Sequence, residues 1–247
     1  MQQPINRPLP LCSIFNAREL GGYATCDGRR TKTHRFLRTA ATDVLTPGDR
    51  AALYDYGVRC VVDLRSVYEV ETRPSRLAGY RDIAYFHVPM LDQMNSRNPE
   101  ERKQHQPASV DDIYRDLILG SQTAFARALG IMAQHPHDCT LFHCSAGKDR
   151  TGLTAMFLLA IAGVDEATIL QDYAVSETYL SSFTPEHLQQ LQTLGIRPIQ
   201  FQFGTAPVHM QRALCLIKER FDSVQNYLLH AGLCHAALEQ LRQSMVE

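Results

Sequence analysis

Cys144 and Arg150 enclose five residues in the run His143-Cys144-Ser145-Ala146-Gly147-Lys148-Asp149-Arg150-Thr151-Gly152. A thiolate attacking a phosphate monoester needs a cation that stays on the phosphoryl group as it flattens, and a planar guanidinium can hold two of its oxygens at once. Ser145, Ala146, Gly147, Lys148 and Asp149 between them form one tight loop. Backbone amides in such a loop, aimed inward at a helix N-terminus, make a concavity that suits a dianionic phosphate. Gly147 permits the bend. The positive end of the following helix, with Arg150, favours the thiolate of Cys144, which is the nucleophilic form. Thr151 offers a hydroxyl that can donate to the sulfur and help it leave when water attacks a phosphocysteine. This chemistry requires no metal and no other cofactor.

Such a loop needs a strand before it and a helix after it. Cys139–His143 is apolar and β-favouring, and Thr151–Ala160 has the pattern of a buried helix that ends near Gly163. Further strands are expected at Arg35–Arg38, Val58–Asp63 and Ala84–Val88. Thr46 and Pro47 form a cap and first-turn pair for a helix running to Tyr56 and stopping at Gly57. Ser109 opens another helix with Asp112 three residues on, Thr123–Ala133 makes a third, and Val164-Asp165-Glu166 starts one that continues through Ala174. The remainder has a helical pattern. Strands alternating with helices argue for an α/β fold with a central, mainly parallel sheet flanked by helices, the phosphate-binding loop between strand and helix, and a helical C-terminal region. Ligands in such sheets bind at the carboxyl ends of the strands, where Cys144 falls.

Other chemistries fit less well. A Walker-type nucleotide loop is excluded because Phe142 stands where its first glycine belongs and Asp149 where its Ser/Thr belongs. A silent phosphate-binding module would not need Cys144, Arg150 and Thr151 together. A redox or arsenate-type enzyme needs a resolving cysteine; Cys139 is the nearest but lies on the preceding strand, and Cys12, Cys26 and Cys60 stay open. The His135-Pro136-His137 pair has only Asp138 and Cys139 beside it, which is not a metal site.

The loop resembles the signature of the cysteine-dependent protein tyrosine phosphatases: His-Cys, five residues, then Arg-Ser/Thr. More narrowly, His-Cys-x-Ala-Gly-Lys-Asp-Arg-Thr-Gly is similar to an atypical bacterial and fungal branch that also acts on phosphoinositides. Asn16-Ala17-Arg18-Glu19-Leu20-Gly21-Gly22-Tyr23 resembles that branch's Asn-x-Arg-Asp-Leu-Gly-Gly element, with Glu19 replacing Asp, and Val61-Val62-Asp63-Leu64-Arg65-Ser66 resembles its Asp-Leu-Arg-Ser segment. The likeness covers Asn16 to Tyr179. It implies the cysteine-phosphatase fold, a phosphotyrosine protein or a phosphoinositide as substrate, and a catalytic part for the loop aspartate, Asp149.

Asp63 and Asp92 compete with Asp149 as the general acid, in that order. Asp63 ends a core strand and should approach the pocket, its alternative being an ion pair with Arg65 or Arg150; Asp92 follows the strand near Val88 and is otherwise a solvated loop residue. Lys148, at the pocket rim, can meet the extra phosphates of an inositol head group. His143 braces the loop from behind. The segment 181–204 is either a lid over the pocket, which the resemblance implies, or an outer layer of the core.

Composition agrees with a globular enzyme. With 247 residues, 45% hydrophobic and 21% charged, the chain is expected to form one phosphatase domain over 1–247. A formal net charge of −1 with dispersed basic residues gives no case for nucleic acid. Seven cysteines without paired short spacings suggest neither disulfides nor zinc. With no readable export signal and no apolar stretch of transmembrane length, the expectation is a cytoplasmic protein without stable membrane insertion, although relatives are exported without a readable signal. The oligomeric state is not written in the sequence.

Overall fold

The computed structural model describes residues 8–180, Gly204 and residues 206–247, apart from residues 93, 95 and 106. Five strands, β1 (Arg18–Glu19), β2 (Phe36–Thr39), β3 (Val58–Asp63), β4 (Ala84–His87) and β5 (Cys139–His143), form one sheet in the order β1-β2-β5-β3-β4. The strand leading into the loop thus lies at the centre. The pairings among β2, β5, β3 and β4 are parallel, and the short edge strand β1 runs antiparallel. All five positions of β5 are buried, as a strand covered on both faces requires. Register pairs both Thr39 and Asp63 with His143. Three strands therefore end level, one residue before Cys144, at the carboxyl edge where open parallel sheets bind ligands.

Ten helices follow among the described residues: α1 (Pro47–Tyr56), α2 (Val67–Thr72), α3 (Pro99–Gln104), α4 (Val110–Gly120), α5 (Gln122–Gln134), α6 (Asp149–Ala162), α7 (Glu166–Leu180), α8 (Pro207–Phe221), α9 (Val224–His230) and α10 (His235–Met245). Strand alternation sorts the two faces. Phe36, Cys60, Val62 and Phe142 join a core filled by α4, α5, α6 and the C-terminal helices. Their sequence neighbours Leu37, Val61 and Leu141 join the other, with Leu53 of α1. In α6 every residue except Ala160 is buried. A helix so enclosed cannot shift without the core, and the loop at its N-terminus inherits that rigidity.

Most boundaries match their sequence signals. Thr46 Oγ1 accepts from the Asp49 amide at 3.1 Å with Pro47 next, and Gly57 closes α1 in the left-handed region at φ 112°. Ser109 caps α4 by accepting from the Asp112 amide at 3.1 Å, and Gly163, at φ 84°, ends α6. The helix α7 runs on to Leu180, past the expected end at Ala174, and the added turn buries Ser176, which accepts from Arg18 Nη2 at 3.0 Å. The elements β1, α2 and α3 have no counterpart in the sequence expectations. Two residues make β1, too few to show a period, and α2 and α3 span six residues each. The candidate lid lies, save Gly204, outside the described residues. No helix among the described residues is long and apolar enough to cross a membrane.

The helical layer converges on Phe157 of α6, which stacks on Tyr227 with centroids 5.2 Å apart and meets Phe125 edge-on at 5.0 Å. Phe157→Ala is expected to cost about 3–5 kcal/mol in urea unfolding. Phe157→Leu should recover most of that loss.

Candidate active site

An anion-binding loop turns its amides toward the ligand, so its carbonyls point into the protein, where each needs a donor. Every carbonyl from Cys144 to Lys148 has one. His143 Nδ1 lies 3.2 Å from the Cys144 oxygen, and the Ala41 amide donates to Ser145 at 3.0 Å. Asn16 Nδ2 donates to Ala146 at 3.1 Å and to Gly147 at 2.9 Å, and Arg38 Nη2 also reaches Gly147 at 2.8 Å. The Gly152 amide, one helical turn on, donates to Lys148 at 2.7 Å. Gly147 is obligatory: it sits at φ +67°, and a Cβ there would lie 2.3 Å from the Thr39 carbonyl oxygen.

The donors are themselves held. Asn16 is buried at φ 56°, a left-handed conformation that Asn tolerates better than most residues, and its Oδ1 accepts from Arg18. Asp172 of α7 takes Arg18 Nε at 2.9 Å, Arg38 Nη1 at 2.5 Å and the Tyr23 hydroxyl at 2.9 Å. One carboxylate therefore fixes both arginines that support the loop. Burial works against its charge, yet the two guanidinium groups lower its pKa from 3.8 to about 2.

Arg150 is gripped from the other side. Its Nη1 and Nη2 donate to the two oxygens of Glu69 at 2.7 and 3.1 Å, and Nη1 also reaches the Leu64 carbonyl at 3.3 Å. Ser145 Oγ donates to the same carboxylate. Glu69 is in turn fixed by a reciprocal capping box with Ser66 at the start of α2. Burial disfavours charge on both partners, but each charge favours the other, leaving Glu69 at about 2 and raising Arg150 above its ordinary value. Cys144, 2% exposed, begins this loop.

The remaining candidates separate. Asp63 is fully buried and makes the ion pair with Arg65: Arg65 Nε and Nη2 donate to it at 3.0 and 2.6 Å, and the Tyr85 hydroxyl donates at 2.7 Å. Burial opposes its charge, but His143 and Arg65 hold its pKa far below the carboxylate range. His143, also buried, has its pKa lowered by that burial while Asp63 pulls it the other way; its Nδ1 lies 3.2 Å from the Cys144 carbonyl, and its Nε2 lies 3.2 Å from Thr42 Oγ1 and 3.5 Å from Asp63. It braces the loop. Asp92 is exposed and accepts from the Val67 amide at 2.8 Å, at the start of α2. Asp149 begins α6, 3% exposed, with its Oδ1 3.6 Å from Lys148 Nζ. Lys148 is 1% exposed, so it lies inside the loop and not at an exposed rim. Thr151 Oγ1 is buried with no hydrogen-bond partner among the described residues, so its donation to Cys144 is not formed in this state. All seven cysteines are free, and burial pushes the Cys60 thiol up to about 12 and the Cys139 thiol beyond that, which argues against either as a resolving nucleophile.

A model of the tyrosine phosphatase family matches residues 9–247. The chain belongs to the tyrosine phosphatase family. It is a phosphoric monoester hydrolase. It is 32% identical over 229 residues to a putative tyrosine-protein phosphatase of Cupriavidus necator, covering 89% of this chain and 82% of that protein. A tyrosine-protein phosphatase of Nostoc commune is 29% identical, with 88% and 76% covered. The triple specificity protein phosphatase PtpB of Mycobacterium tuberculosis is 26% identical, with 96% and 97% covered.

The sequence singles out the Cys144–Arg150 loop and the Asn16 element, which the structure brings together, but not Glu69, Arg38 and Asp172, which support that loop. Ser66-x-x-Glu69 is a capping-box signature immediately after the Asp-Leu-Arg-Ser segment, so Glu69 had a local signal. Asp172 had none, because its partners are 134 and 154 residues away in sequence.

Removing the Asp172 charge strands two buried arginines, which costs about 3–5 kcal/mol. Its folded pKa, about 2, lies below the ordinary 3.8, so its stabilisation is complete above pH 3.8 and is lost as pH falls toward 2. Asp172→Asn is expected to be less stable than wild type at pH 7 in urea titration, with the gap narrowing between pH 4 and pH 2.

Proposed function

We propose that this phosphatase hydrolyses phosphotyrosine in proteins through a phosphocysteine at Cys144. The observation that carries the reading is the loop in which every carbonyl from Cys144 to Lys148 is tied away from the pocket, which leaves the amides to the phosphate. Ser145, Ala146, Gly147, Lys148, Asp149, Arg150 and Thr151 form the phosphate-binding set. Glu69 and the Leu64 carbonyl occupy one edge of the Arg150 fork, and the Nε–H and the second Nη2–H remain for two phosphoryl oxygens.

In the first step the Cys144 sulfur attacks phosphorus, the S–P bond forms, and the bond from phosphorus to the tyrosyl oxygen breaks. A carboxyl proton passes to that oxygen as it leaves. In the second step the resulting carboxylate takes a proton from water, the water oxygen bonds to phosphorus, and the thiolate departs. The departing sulfur is the group to which the Thr151 hydroxyl, unpartnered in the resting structure, can donate. We assign the proton transfers to Asp149. Asp63 is committed to Arg65 and Tyr85, whereas Asp149 Oδ1 has no hydrogen-bond partner among the described residues.

Phosphoinositides are the second substrate class. Lys148 supports this reading, because a buried ammonium beside the phosphate loop adds a second positive charge for a ligand with more than one phosphate. The relative named a triple specificity phosphatase matches nearly the whole chain.

Assays on p-nitrophenyl phosphate, a phosphotyrosine peptide, a phosphoserine peptide and a phosphoinositide panel test these roles. Cys144→Ser should show no turnover on any substrate. Asp149→Ala should lose about 10²-fold or more in kcat/KM on the phosphotyrosine peptide. Asp63→Ala should instead show its main defect as a lowered unfolding midpoint; a wild-type rate in Asp149→Ala with loss in a folded Asp63→Ala would reverse the acid assignment. Lys148→Met should reduce phosphoinositide turnover more than phosphotyrosine turnover, and an equal loss on both would remove the lipid reading.

A further inference from the structure

Two tyrosines outside the loop stand beside Asp149, and the part they play rests on Asp149 being the acid. Tyr114 of α4 and Tyr173 of α7 are each 1% exposed, and their rings meet edge to face with centroids 6.1 Å apart. One turn along α6 from Asp149, a Cβ on Gly152 would touch Tyr173 Cδ2 at 3.4 Å. Three helices thus converge on the acid. Burial raises the pKa of both phenols and the Asp149 carboxylate raises it further, so both keep their protons at neutral pH. Neither phenol oxygen nor Asp149 Oδ1 makes a hydrogen bond of ordinary length among the described residues, although all three atoms are out of solvent, yet the Tyr114 hydroxyl lies near enough to Asp149 and to Tyr173 to act on both as a hydrogen-bonding group. Buried hydroxyls are ordinarily paired, and leaving one unpaired costs about 1–3 kcal/mol. Where only packing matters, phenylalanine would fill the same space without that cost.

We propose that Tyr114 and Tyr173 are positioning residues for Asp149, their hydroxyls orienting its carboxyl group so that the proton is delivered to the leaving oxygen. A phenol O–H that donates to one carboxyl oxygen restricts the group's rotation and leaves the proton to the other oxygen. The residues touch neither phosphate nor nucleophile in this role; they act through Asp149. Other charges face the same group. Lys148 Nζ lies 3.6 Å from Asp149 Oδ1, Arg150 is coupled to the same carboxylate, and Arg38 and Asp111 act on Tyr173 with opposite signs. Lys148 and Arg150 also attract the carboxylate, and as cations they favour its ionised form, whereas a phenol can orient the protonated acid.

The test is the dependence of kcat/KM on the leaving group, since this constant reports the step that expels it. Wild type, Tyr114→Phe, Tyr173→Phe, Asp149→Asn and Asp149→Asn/Tyr114→Phe are compared on aryl phosphates running from p-nitrophenyl phosphate, whose phenol is acidic, to phenyl phosphate, whose phenol is close to tyrosine's about 10. Each phenylalanine variant is expected to lose about twofold or less on the first and about tenfold on the second, a fraction of the roughly 10²-fold that loss of the acid removes. The double variant should be no steeper than Asp149→Asn alone. A uniform loss across the series, or none, beside a steeper Asp149→Asn overturns the positioning role and leaves the acid in place. A double variant steeper than Asp149→Asn shows the tyrosine acting independently of Asp149 and also overturns it. An unchanged slope in Asp149→Asn overturns the acid assignment, and the positioning role falls with it.

Discussion

A loop that offers its amides to an anion must hide its carbonyls inside the protein, and a buried carbonyl without a donor is expensive. That constraint organises the surroundings of Cys144. It explains why Asn16 accepts a left-handed backbone, why Arg38 crosses from β2 beneath the loop, and why Asp172 is brought from α7 to hold both Arg38 and Arg18. It also explains the closeness of β2: Gly147 approaches the Thr39 carbonyl so nearly that no side chain fits between them. The shape of the loop is therefore an outcome of how the strand ends of β2 and β5 pack, and less a property of the loop considered alone.

Electrostatics imposes a second layer of order. Arg18, Arg38, Arg65 and Arg150 are almost completely buried, and each has a carboxylate partner: Asp172 for the first two, Asp63 for the third and Glu69 for the fourth. Buried ion pairs add little net stability over an apolar core, but breaking one is costly. Their yield here is geometric. Glu69 sets the plane of the Arg150 fork and holds Ser145 at the same time, so the guanidinium is oriented before substrate arrives. The Asp63 network sits one layer back, where it fixes His143 and through it the Cys144 carbonyl.

The sequence exposed what is local and concealed what is distant. The strand, loop and helix around Cys144 and the caps at Thr46, Ser109 and Gly163 all rest on residues within a few positions of each other, and the structure has them as expected. Cys144 and Arg150 stand out in the sequence because a strand–loop–helix unit sets them at the two ends of one loop, as the structure has them. Asp63 was read as a possible acid because it ends a core strand, but which partner it meets depends on Arg65 and on Tyr85 of the neighbouring strand. Lys148 looked like a rim residue because lysine is ordinarily exposed; the tight loop draws it inside. Asp172 and the pairing of Tyr114 with Tyr173 depend on how α4 and α7 close over α6, and no periodic pattern encodes such a contact.

The central claim is that the phosphoryl group passes through the sulfur of Cys144. Rapid acid quenching of wild-type enzyme during turnover of p-nitrophenyl phosphate, with mass spectrometry of the peptide carrying the loop, tests it most directly. A phosphoryl adduct on Cys144 is expected to appear with the first burst of product and to decay when substrate is exhausted. A product burst with no adduct on Cys144, or with the phosphoryl group on another residue, would contradict it.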